Sequence, residues 1–234
     1  MANGVSLQHN KINIAIDGPA GAGKSTIARM VANQLGYVYV DTGAMYRAAT
    51  LYFVDKGIPP EQSVDMLEAL NSLQIVLEPG ADRQQVFLNN RNVTEEIRSN
   101  AVNNIVSQYS QLEALRTRLV TLQQQMAKRK GVVMDGRDIG TTVLPDAELK
   151  IYMTASVEER AARRYNELSE KECITLEQLQ REIQQRDQLD QQREISPLKQ
   201  AHDAILLDTT SMTIEQVVDV IASYCSRQGM GSKT

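Results

Sequence analysis

The sequence predicts an α/β fold with a five-stranded parallel sheet that carries helices on both faces. Three observations support this prediction. Short apolar, β-branched segments alternate with stretches of helical composition, a glycine-rich turn joins the first strand to the first helix, and the stretch 57–130 interrupts the alternation. Strands that alternate with helices form parallel sheets that are covered on both faces. The interruption predicts an insert that contains a small antiparallel sheet.

The first half of the alternation consists of two strands and two helices. The strands are predicted at 12–16 and 37–40, because each is rich in β-branched or aromatic residues and is followed by a turn sequence, DGP or DTG. A helix is predicted over 25–35, where apolar side chains recur on one face and Gly36 provides a C-terminal stop. The segment 44–54 has a helical composition and ends before a glycine and a proline pair.

The insert differs from the rest of the chain. Strands are predicted at 73–78 and 84–88, and two asparagines then form a tight turn into 91–93. Leucines and a methionine at helical spacing predict a long helix over 112–126.

The alternation resumes after the insert. The remaining strands are predicted at 132–134, 149–153 and 204–207. Ser/Thr-x-x-Glu/Gln capping boxes predict the starts of the last three helices, at Ser156, Thr175 and Thr213. The predicted organisation is a disordered tail at 1–11, a core formed by 12–56 and 131–227, the insert at 57–130, and a flexible tail at 228–234.

Composition argues against several classes of protein. The chain has 234 residues with 25 Lys+Arg against 29 Asp+Glu, so its net charge of −4 gives no general attraction to nucleic acid. Cys173 and Cys225 form no CxxC or Cys/His cluster, so a disulfide scaffold is not expected. His9 and His202 lie in no motif. The polar first ten residues contain no apolar signal segment and no run of about twenty apolar residues occurs, so we expect a cytoplasmic location.

The glycine-rich segment GPAGAGKS at 18–25 matches the pattern GxxxxGK[ST] between a strand and a helix. Its glycines let backbone N–H groups point at phosphate oxygens, and the helix N-terminus adds further donors. Lys24 can reach the β- and γ-phosphates, and the Ser25 hydroxyl can ligate the Mg²⁺ that bridges them. The motif predicts a nucleoside triphosphate site. Its residues are Gly18, Pro19, Ala20, Gly21, Ala22, Gly23, Lys24, Ser25 and Thr26.

Two further segments narrow the class of nucleotide-binding protein. GTPases carry an NKxD-type segment and ABC ATPases an LSGGQ-like signature, and the sequence contains neither. DTGAMYR at 41–47 and DGRDIG at 135–140 follow predicted strands, which is where ligands bind in open α/β sheets. Each segment is also compatible with a simple turn or helix cap. Together they favour a small kinase.

Arginines dominate the cations of the segment 158–193, which contains six arginines and one lysine. Because arginine forms bidentate contacts with phosphate, we interpret 158–195 as a helical lid that closes over the triphosphate. An alternative stays open, because some of these arginines have glutamate partners at i,i+4 spacing on helix surfaces. Lid roles are favoured for Arg160, Arg186 and Arg193. The spaced pairs are Glu159–Arg163, Glu177–Arg181 and Glu182–Arg186.

The expected chemistry does not need a histidine base. A phosphate acceptor already carries an anionic oxygen, so the protein has only to bring two anions together and neutralise them. Lysine, arginines and Mg²⁺ are suited to that role.

Arg116 borders the apolar stripe of the helix 112–126, so it can face the crevice or pair with Glu113.

Four motifs in a fixed order resemble the bacterial cytidylate kinase family of P-loop nucleoside monophosphate kinases. They are IDGPAGAGKST at 16–26, DTGAMYR at 41–47, DGRDIGT at 135–141 and RDQLDQQREISPL at 186–198. The resemblance implies a P-loop NTPase-type fold that transfers the γ-phosphate of ATP to CMP or dCMP with Mg²⁺. It implies that the insert binds the monophosphate. We also expect a monomer with no nucleic-acid or membrane partner.

The resemblance also implies roles for individual residues. Thr42 matches a hydroxyl that contacts the acceptor nucleotide, Ser107 matches a base contact, and Asp138 matches a contact to the cytosine ring. The residues that match holders of the acceptor phosphate are Arg47, Arg116 and Arg137. The group near the transferred phosphate and the acceptor sugar comprises Arg186, Asp190 and Arg193. Together with the glycine-rich motif, these roles make Lys24, Arg137, Arg186 and Arg193 the expected catalytic residues. The interpretation of 158–195 as a lid places Arg160 in contact with ATP.

The residues alone leave two alternative functions open. A kinase of the same class could act on AMP, dTMP or shikimate, because spacing does not show which base edge is contacted. A non-catalytic module could bind ATP alone, although arginines at a second anion pocket argue against it. Nucleic-acid binding is disfavoured by the net charge and by an aromatic content of 4%.

Overall fold

The computed structural model describes residues 11–80, 83–167 and 174–230. In chain order its elements are β1 (Asn13–Asp17), α1 (Lys24–Leu35), β2 (Val38–Asp41), α2 (Thr42–Asp55), α3 (Val64–Asn71), β3 (Ile75–Glu78), β4 (Gln85–Leu88), β5 (Arg91–Asn92), α4 (Asn100–Tyr109), α5 (Glu113–Ala127), β6 (Val132–Gly136), β7 (Leu149–Thr154), α6 (Val157–Glu167), α7 (Leu176–Gln191), β8 (Ile205–Asp208) and α8 (Ile214–Met230). A 3₁₀ turn at Glu96–Arg98 precedes α4, and a π-helical turn at Ile139–Val143 follows β6.

The central sheet confirms the predicted α/β class. Its five strands are parallel and lie in the order β2-β6-β1-β7-β8. In this register Asp41 of β2 is opposite Asp135 of β6, and Asp17 of β1 is opposite Gly136. The carboxyl ends of β1, β2 and β6 therefore meet, and this end of a parallel sheet is where ligands bind.

Helices cover both faces of the sheet, as predicted. On one face α1 and α8 bury residues such as Val31 and Ile221 against β1. On the other face α2 and α5 bury Phe53 and Leu119, and apolar side chains of the insert such as Met66 join the same core. The insert is thus packed on the α2 side of the sheet, which brings its residues close to the carboxyl ends of β2 and β6.

The antiparallel sheet predicted in the insert is present as β3-β4-β5. Asn89 and Asn90 have φ values of 46° and 67°, and they form the predicted two-residue turn between β4 and β5. Helices α3 and α4 have no counterpart in the sequence prediction. They begin at the side-chain caps Ser63 and Ser99, and their apolar residues face a core that α2 and α5 supply.

Several predicted boundaries were wrong by a few residues. Helix α2 begins at Thr42 rather than at 44, because the Asp41 carboxylate accepts a hydrogen bond from the Ala44 N–H and caps the helix. Helix α5 begins at Glu113 with Leu112 at its N-cap. The capping box at Thr175 is confirmed. The box at Thr213 is confirmed by reciprocal hydrogen bonds with Gln216.

Helices α6 and α7 form the described part of the predicted lid, with a small core of Ala161, Leu179 and Ile183. Cys173, the segment 168–173, the predicted tail up to residue 10 and residues 231–234 lie outside the described residues. Helix α8 includes residues 228–230, which the sequence prediction assigned to a flexible tail. Within the described ranges, no helix has the length and apolar character needed to cross a membrane.

Candidate active site

The phosphate loop lies between β1 and α1, and its glycines are required by the backbone. Gly21 and Gly23 have φ values of 73° and 79°, which favour glycine. A Cβ on Gly18 would lie 2.0 Å from the carbonyl oxygen of Met153, so no side chain fits there. The loop therefore wraps closely before α1, and the first N–H groups of that helix face its interior as anion donors.

Lys24 is the first residue of α1 and is almost fully buried. Its ammonium donates a hydrogen bond of 2.7 Å to the carbonyl of Pro19. Burial and the nearby charge of Arg137 lower the pKa of Lys24 to about 7, although the carboxylates of Asp135 and Asp17 act in the opposite direction. A polyanion bound in the loop would favour the charged ammonium, as expected for a phosphate-binding lysine.

Ser25 and Asp135 place two hard oxygen ligands beside the loop. The Ser25 hydroxyl donates a 2.7 Å hydrogen bond to the Asp135 carboxylate, which also accepts one of 2.9 Å from the hydroxyl of Tyr39. Burial and the charge of Asp41 raise the pKa of Asp135 to about 6. No group of three or more His, Cys, Asp or Glu suited to a metal occurs in the described part of the chain. A hydroxyl and one carboxylate nevertheless fit Mg²⁺, which takes its other ligands from water and phosphates.

Asp41, which lies next to Asp135 on the neighbouring strand, contacts two arginines at long distance. A guanidinium nitrogen of Arg47 lies 3.4 Å from the Asp41 carboxylate, and one of Arg98 lies 3.4 Å from the same group. The Nε of Arg47 is buried without a hydrogen-bond partner. Because these contacts are long and incomplete, Arg47 retains donors that can bind an anion.

Arg116 forms a buried ion pair with Asp138, and its Nη1 donates to the carbonyl of Ser110 at 3.0 Å. Burial acts to lower the pKa of Arg116, but the influence of Tyr46 and Asp138 is larger and the pKa is raised. The alternative pairing with Glu113 was wrong, because the side chain of Arg116 turns toward the core and the loop after β6 instead of the helix surface. The pair joins α5 of the insert to the motif DGRDIG.

Arg137, Arg186 and Arg193 surround Asp190. Arg137 Nε donates a 2.7 Å hydrogen bond to the Asp190 carboxylate, and Arg193 Nη1 lies 3.9 Å from it. Arg186 makes no hydrogen bond or ion pair with any described residue, and burial and the charge of Arg137 lower its pKa to about 10. Three cations therefore share one carboxylate, and the surplus positive charge suits phosphate.

Unsatisfied donors concentrate in a larger arginine cluster, which these three arginines form together with Tyr46, Arg47 and Arg116. Buried polar atoms of folded proteins nearly always have hydrogen-bond partners. Among the described residues, seven buried side-chain nitrogen or oxygen atoms have none, and five of these lie in the cluster. The five are Tyr46 Oη, Arg47 Nε, Arg116 Nε, Arg186 Nε and Arg193 Nη2. The cluster thus has the unused hydrogen-bonding capacity that an anionic ligand would satisfy.

The remaining predicted residues occupy more varied positions. The Thr42 hydroxyl donates to the backbone carbonyl of Asp135 at 2.6 Å, which leaves its oxygen free to accept from a ligand. Ser107 lies half-buried on α4, and among the described residues its backbone carbonyl accepts a hydrogen bond of 3.0 Å from the Ser110 hydroxyl. Arg160 donates to the carbonyl of Ala20 and pairs with Asp187. Arg163 pairs with Glu159, as its spacing predicts.

Sequence reasoning missed three acidic residues of the site. Asp135 and Asp41 lie at the ends of strands beside the phosphate loop, and this position in the two quoted motifs was the available signal. Asp187 follows Arg186 in the fourth motif, but its contact with Ala20 spans the chain and has no local signal. A cavity of about 650 Å³ lies away from these groups, between α3 and α5, and its lining includes Glu113 and no phosphate loop residue.

The site consists of one anion-binding loop and a second group of buried cations that face it. A single phosphate chain would need only the loop, so the arginines opposite imply a second anion in the same crevice. On a parallel sheet of this order, such a two-anion crevice defines a P-loop kinase.

Comparison with known proteins identifies the family. Residues 14–227 match the family model described as cytidylate kinase, and the chain belongs to this family. It is 54% identical over 217 residues to the cytidylate kinase of Bacillus cytotoxicus, covering 92% of this chain and 96% of that protein. It is 52% identical over 212 residues to that of Caldicellulosiruptor bescii, covering 90% and 94%. The predicted resemblance is confirmed.

One solved structure has a similar fold although its sequence is very different. An uncharacterized protein from Eubacterium ventriosum has a TM-score of 0.51 and covers 93% of this chain and 99% of its own. The two sequences are only 11% identical, so this likeness concerns the fold alone.

Proposed function

We propose that the chain transfers the γ-phosphate of ATP to CMP or dCMP, giving ADP and CDP or dCDP, in pyrimidine nucleotide metabolism. Membership of the cytidylate kinase family supports the pyrimidine acceptor. The observation that carries the two-anion reaction is the set of buried, unpartnered nitrogens in the arginine cluster, whose members Arg137 and Arg186 lie close enough to Lys24 to lower its pKa. AMP or dTMP would satisfy the same charge requirement, whereas shikimate would offer a neutral hydroxyl as acceptor, and the family favours CMP.

The donor side is formed by the phosphate loop. Lys24 and the N–H groups of the loop would hold the β- and γ-phosphates of ATP. Ser25 and Asp135 would hold Mg²⁺ through a hydroxyl and a carboxylate. When bound, this ion would supply positive charge that stabilises the negative charge of the triphosphate during transfer.

The acceptor side is formed by the arginine cluster. Arg47, Arg116 and Arg137 would hold the phosphate of CMP, while Asp138 and Ser107 would contact its base. An oxygen of that phosphate attacks the γ-phosphorus as the bond to the β-phosphate oxygen breaks, and ADP leaves with the electron pair. The attacking oxygen is already anionic, so no base has to remove a proton. The part of the protein is to position the two phosphates and stabilise their charge.

The remaining organisation follows from these sites. The insert, 57–130, would bind the acceptor, and the helical segment 158–195 would act as a lid that excludes water from the transferred phosphate. We propose that Arg186 and Arg193 contact that phosphate together with Asp190 at the acceptor sugar. The protein would act as a cytoplasmic monomer on small molecules, without a nucleic-acid or membrane partner.

An acceptor panel tests the proposal. ADP release is measured with ATP and Mg²⁺ and with CMP, dCMP, UMP, AMP, dTMP or shikimate as acceptor. We expect kcat/KM for CMP and dCMP to exceed that for AMP, dTMP and shikimate by about 100-fold or more, because base-reading hydrogen bonds set the preference. A higher value for AMP, dTMP or shikimate would contradict the proposal. Binding of ATP without turnover of any acceptor would support a non-catalytic module.

A further inference from the structure

Both backbone polar groups of Ala20, in the phosphate loop, are bound by side chains of the lid helices. The Ala20 N–H donates a 2.8 Å hydrogen bond to one carboxylate oxygen of Asp187 on α7. The Ala20 carbonyl accepts one of 2.7 Å from Arg160 on α6. Arg160 and Asp187 are joined to each other at 2.6 Å. Two lid residues and one loop residue thus form a closed ring of three contacts, which we call the loop clamp.

Packing around the loop clamp is equally close. A Cβ on Gly21 would lie 3.3 Å from the Cβ of Arg160 and 3.6 Å from the Cδ1 of Ile183. Arg160 Nε also donates to the carbonyl of Ala155, so the guanidinium is oriented from two sides. Ala20, Arg160 and Asp187 are all buried. Helices α6 and α7, which are the described part of the lid, therefore pack directly on the phosphate loop.

We infer that the loop clamp positions the lid helix α7 relative to the donor phosphate, and that Asp187 is a positioning residue for phosphoryl transfer. Asp187 is next to Arg186, which is proposed to act at the transferred phosphate. Fixing Asp187 to the loop fixes where the Arg186 side chain stands. The inference rests on the proposed function, because it takes the loop to be the ATP site.

The loop clamp gives Arg160 a role beside the expected contact with ATP. Its Nε donates to the carbonyl of Ala155, and its Nη1 donates to the carbonyl of Ala20 and to the Asp187 carboxylate, so these donors act on the nucleotide through the loop backbone. A carboxylate this close to a triphosphate site would repel the ligand unless it were neutralised. Arg160 neutralises Asp187, which explains why the acidic residue is tolerated at this position.

Two substitutions at Asp187 separate the parts of the clamp. Asp187→Ala removes the acceptor for the Ala20 N–H and leaves Arg160 without its counter-charge. Asp187→Asn keeps an oxygen that can accept from the Ala20 N–H but removes the charge. Glu182→Gln is the matched control, because Glu182 is an exposed acidic residue on the same helix. Its kinetics and loop exchange should match those of the wild-type protein.

Kinetics and hydrogen exchange are then measured on each full-length protein. A hydrogen bond to a charged group is worth enough to change an equilibrium by about tenfold or more. We therefore expect Asp187→Ala to lower kcat/KM for ATP about tenfold and to leave the KM for CMP within about twofold of the wild-type value. In the nucleotide-free protein, amide exchange of a peptide covering 17–26 should accelerate about tenfold, and Asp187→Asn should restore part of the protection.

Two results would overturn the inference about Asp187. A folded Asp187→Ala protein with unchanged ATP kinetics and unchanged loop exchange would contradict it. An equal rise in KM for both nucleotides would also contradict it, because a general loss of structure affects both sites. Failure of the wild-type protein to phosphorylate CMP would instead overturn the proposed function, and loop exchange in that case would still report on the clamp.

Discussion

Replacing Arg116 with methionine tests whether a buried ion pair organises the acceptor pocket. Arg116 is 2% exposed and Asp138 is 5% exposed. Methionine fills similar space but leaves the Asp138 carboxylate buried without its partner. Breaking a buried pair by removing one member costs about 3–5 kcal/mol in the free energy of unfolding. At about 2–4 °C per kcal/mol for a chain of this size, Tm should fall by about 10 °C.

The same substitution should separate acceptor binding from donor binding. A hydrogen bond to a charged group is worth about 1.5–3 kcal/mol, so the KM for CMP should rise by about 10- to 150-fold. The KM for ATP should change by less than about twofold, because the hydrogen bonds of Arg116 go to Ser110 and Asp138 and not to the phosphate loop. Steady-state kinetics with each nucleotide varied, and thermal unfolding followed by circular dichroism, give these values.

The matched control is Arg118→Met, because Arg118 is exposed on the same helix. Its Tm and both KM values should equal those of the wild-type protein. The double variant Arg116→Met/Asp138→Asn removes the unpaired charge, so it should recover part of the lost Tm without recovering affinity for CMP. Wild-type values of Tm and of the KM for CMP in Arg116→Met would refute the reasoning.

Three other predictions concern charge at the crevice. Arg137→Ala should lower kcat about 100-fold, because a contact that stabilises charge in the transition state is lost. The Kd for ATP, measured by calorimetry, should stay within about threefold of the wild-type value. An unchanged kcat would contradict the two-anion crevice. Because the pKa of Lys24 is about 7 and bound ATP favours its charged form, binding at pH 8 should take up about one proton, measured by calorimetry in buffers of different ionisation enthalpy. Lys24→Met should abolish this uptake, and its persistence there would assign it to another group. Because the pKa of Asp135 is raised to about 6 and Mg²⁺ needs the ionised carboxylate, the apparent affinity for Mg²⁺ should fall as the pH drops below about 6. Asp135→Asn should weaken Mg²⁺ binding and remove that pH dependence, and an unchanged affinity would exclude Asp135 as a ligand.

The parts of the fold that sequence reasoning predicted are those with local signals. The phosphate loop, the strands around it and the capping boxes are each specified by a few neighbouring residues, such as Gly18 or Thr175. The Asn89–Asn90 turn is likewise local, because both residues adopt positive φ. Helices α3 and α4 are only eight and ten residues long. Segments this short are stable as helices only when other elements bury them, so sequence reasoning did not assign them.

The residues of the site divide in the same way, into those with a local sequence signal and those without one. The lysine and the arginines were predicted because motifs and composition pick them out. The pairings between site residues were not predicted, because the pair Arg116–Asp138 and the contact of Asp187 with Ala20 join residues 22 and 167 positions apart. Such pairings depend on how helices pack on the sheet. Spacing on one helix even suggested Glu113 as the partner of Arg116, and tertiary packing overrode that pairing.

Binding of a bisubstrate ligand tests the central claim most directly. In the pentaphosphate that joins adenosine and cytidine through their 5′ positions, the donor and acceptor phosphates are already linked end to end. If one crevice holds both, calorimetry should show the ligand binding about 100-fold more tightly than ATP, because the second site is engaged within the same complex. Arg186→Ala should lose most of that gain. An affinity no greater than that of ATP would contradict the account, since the two nucleotides would then not meet.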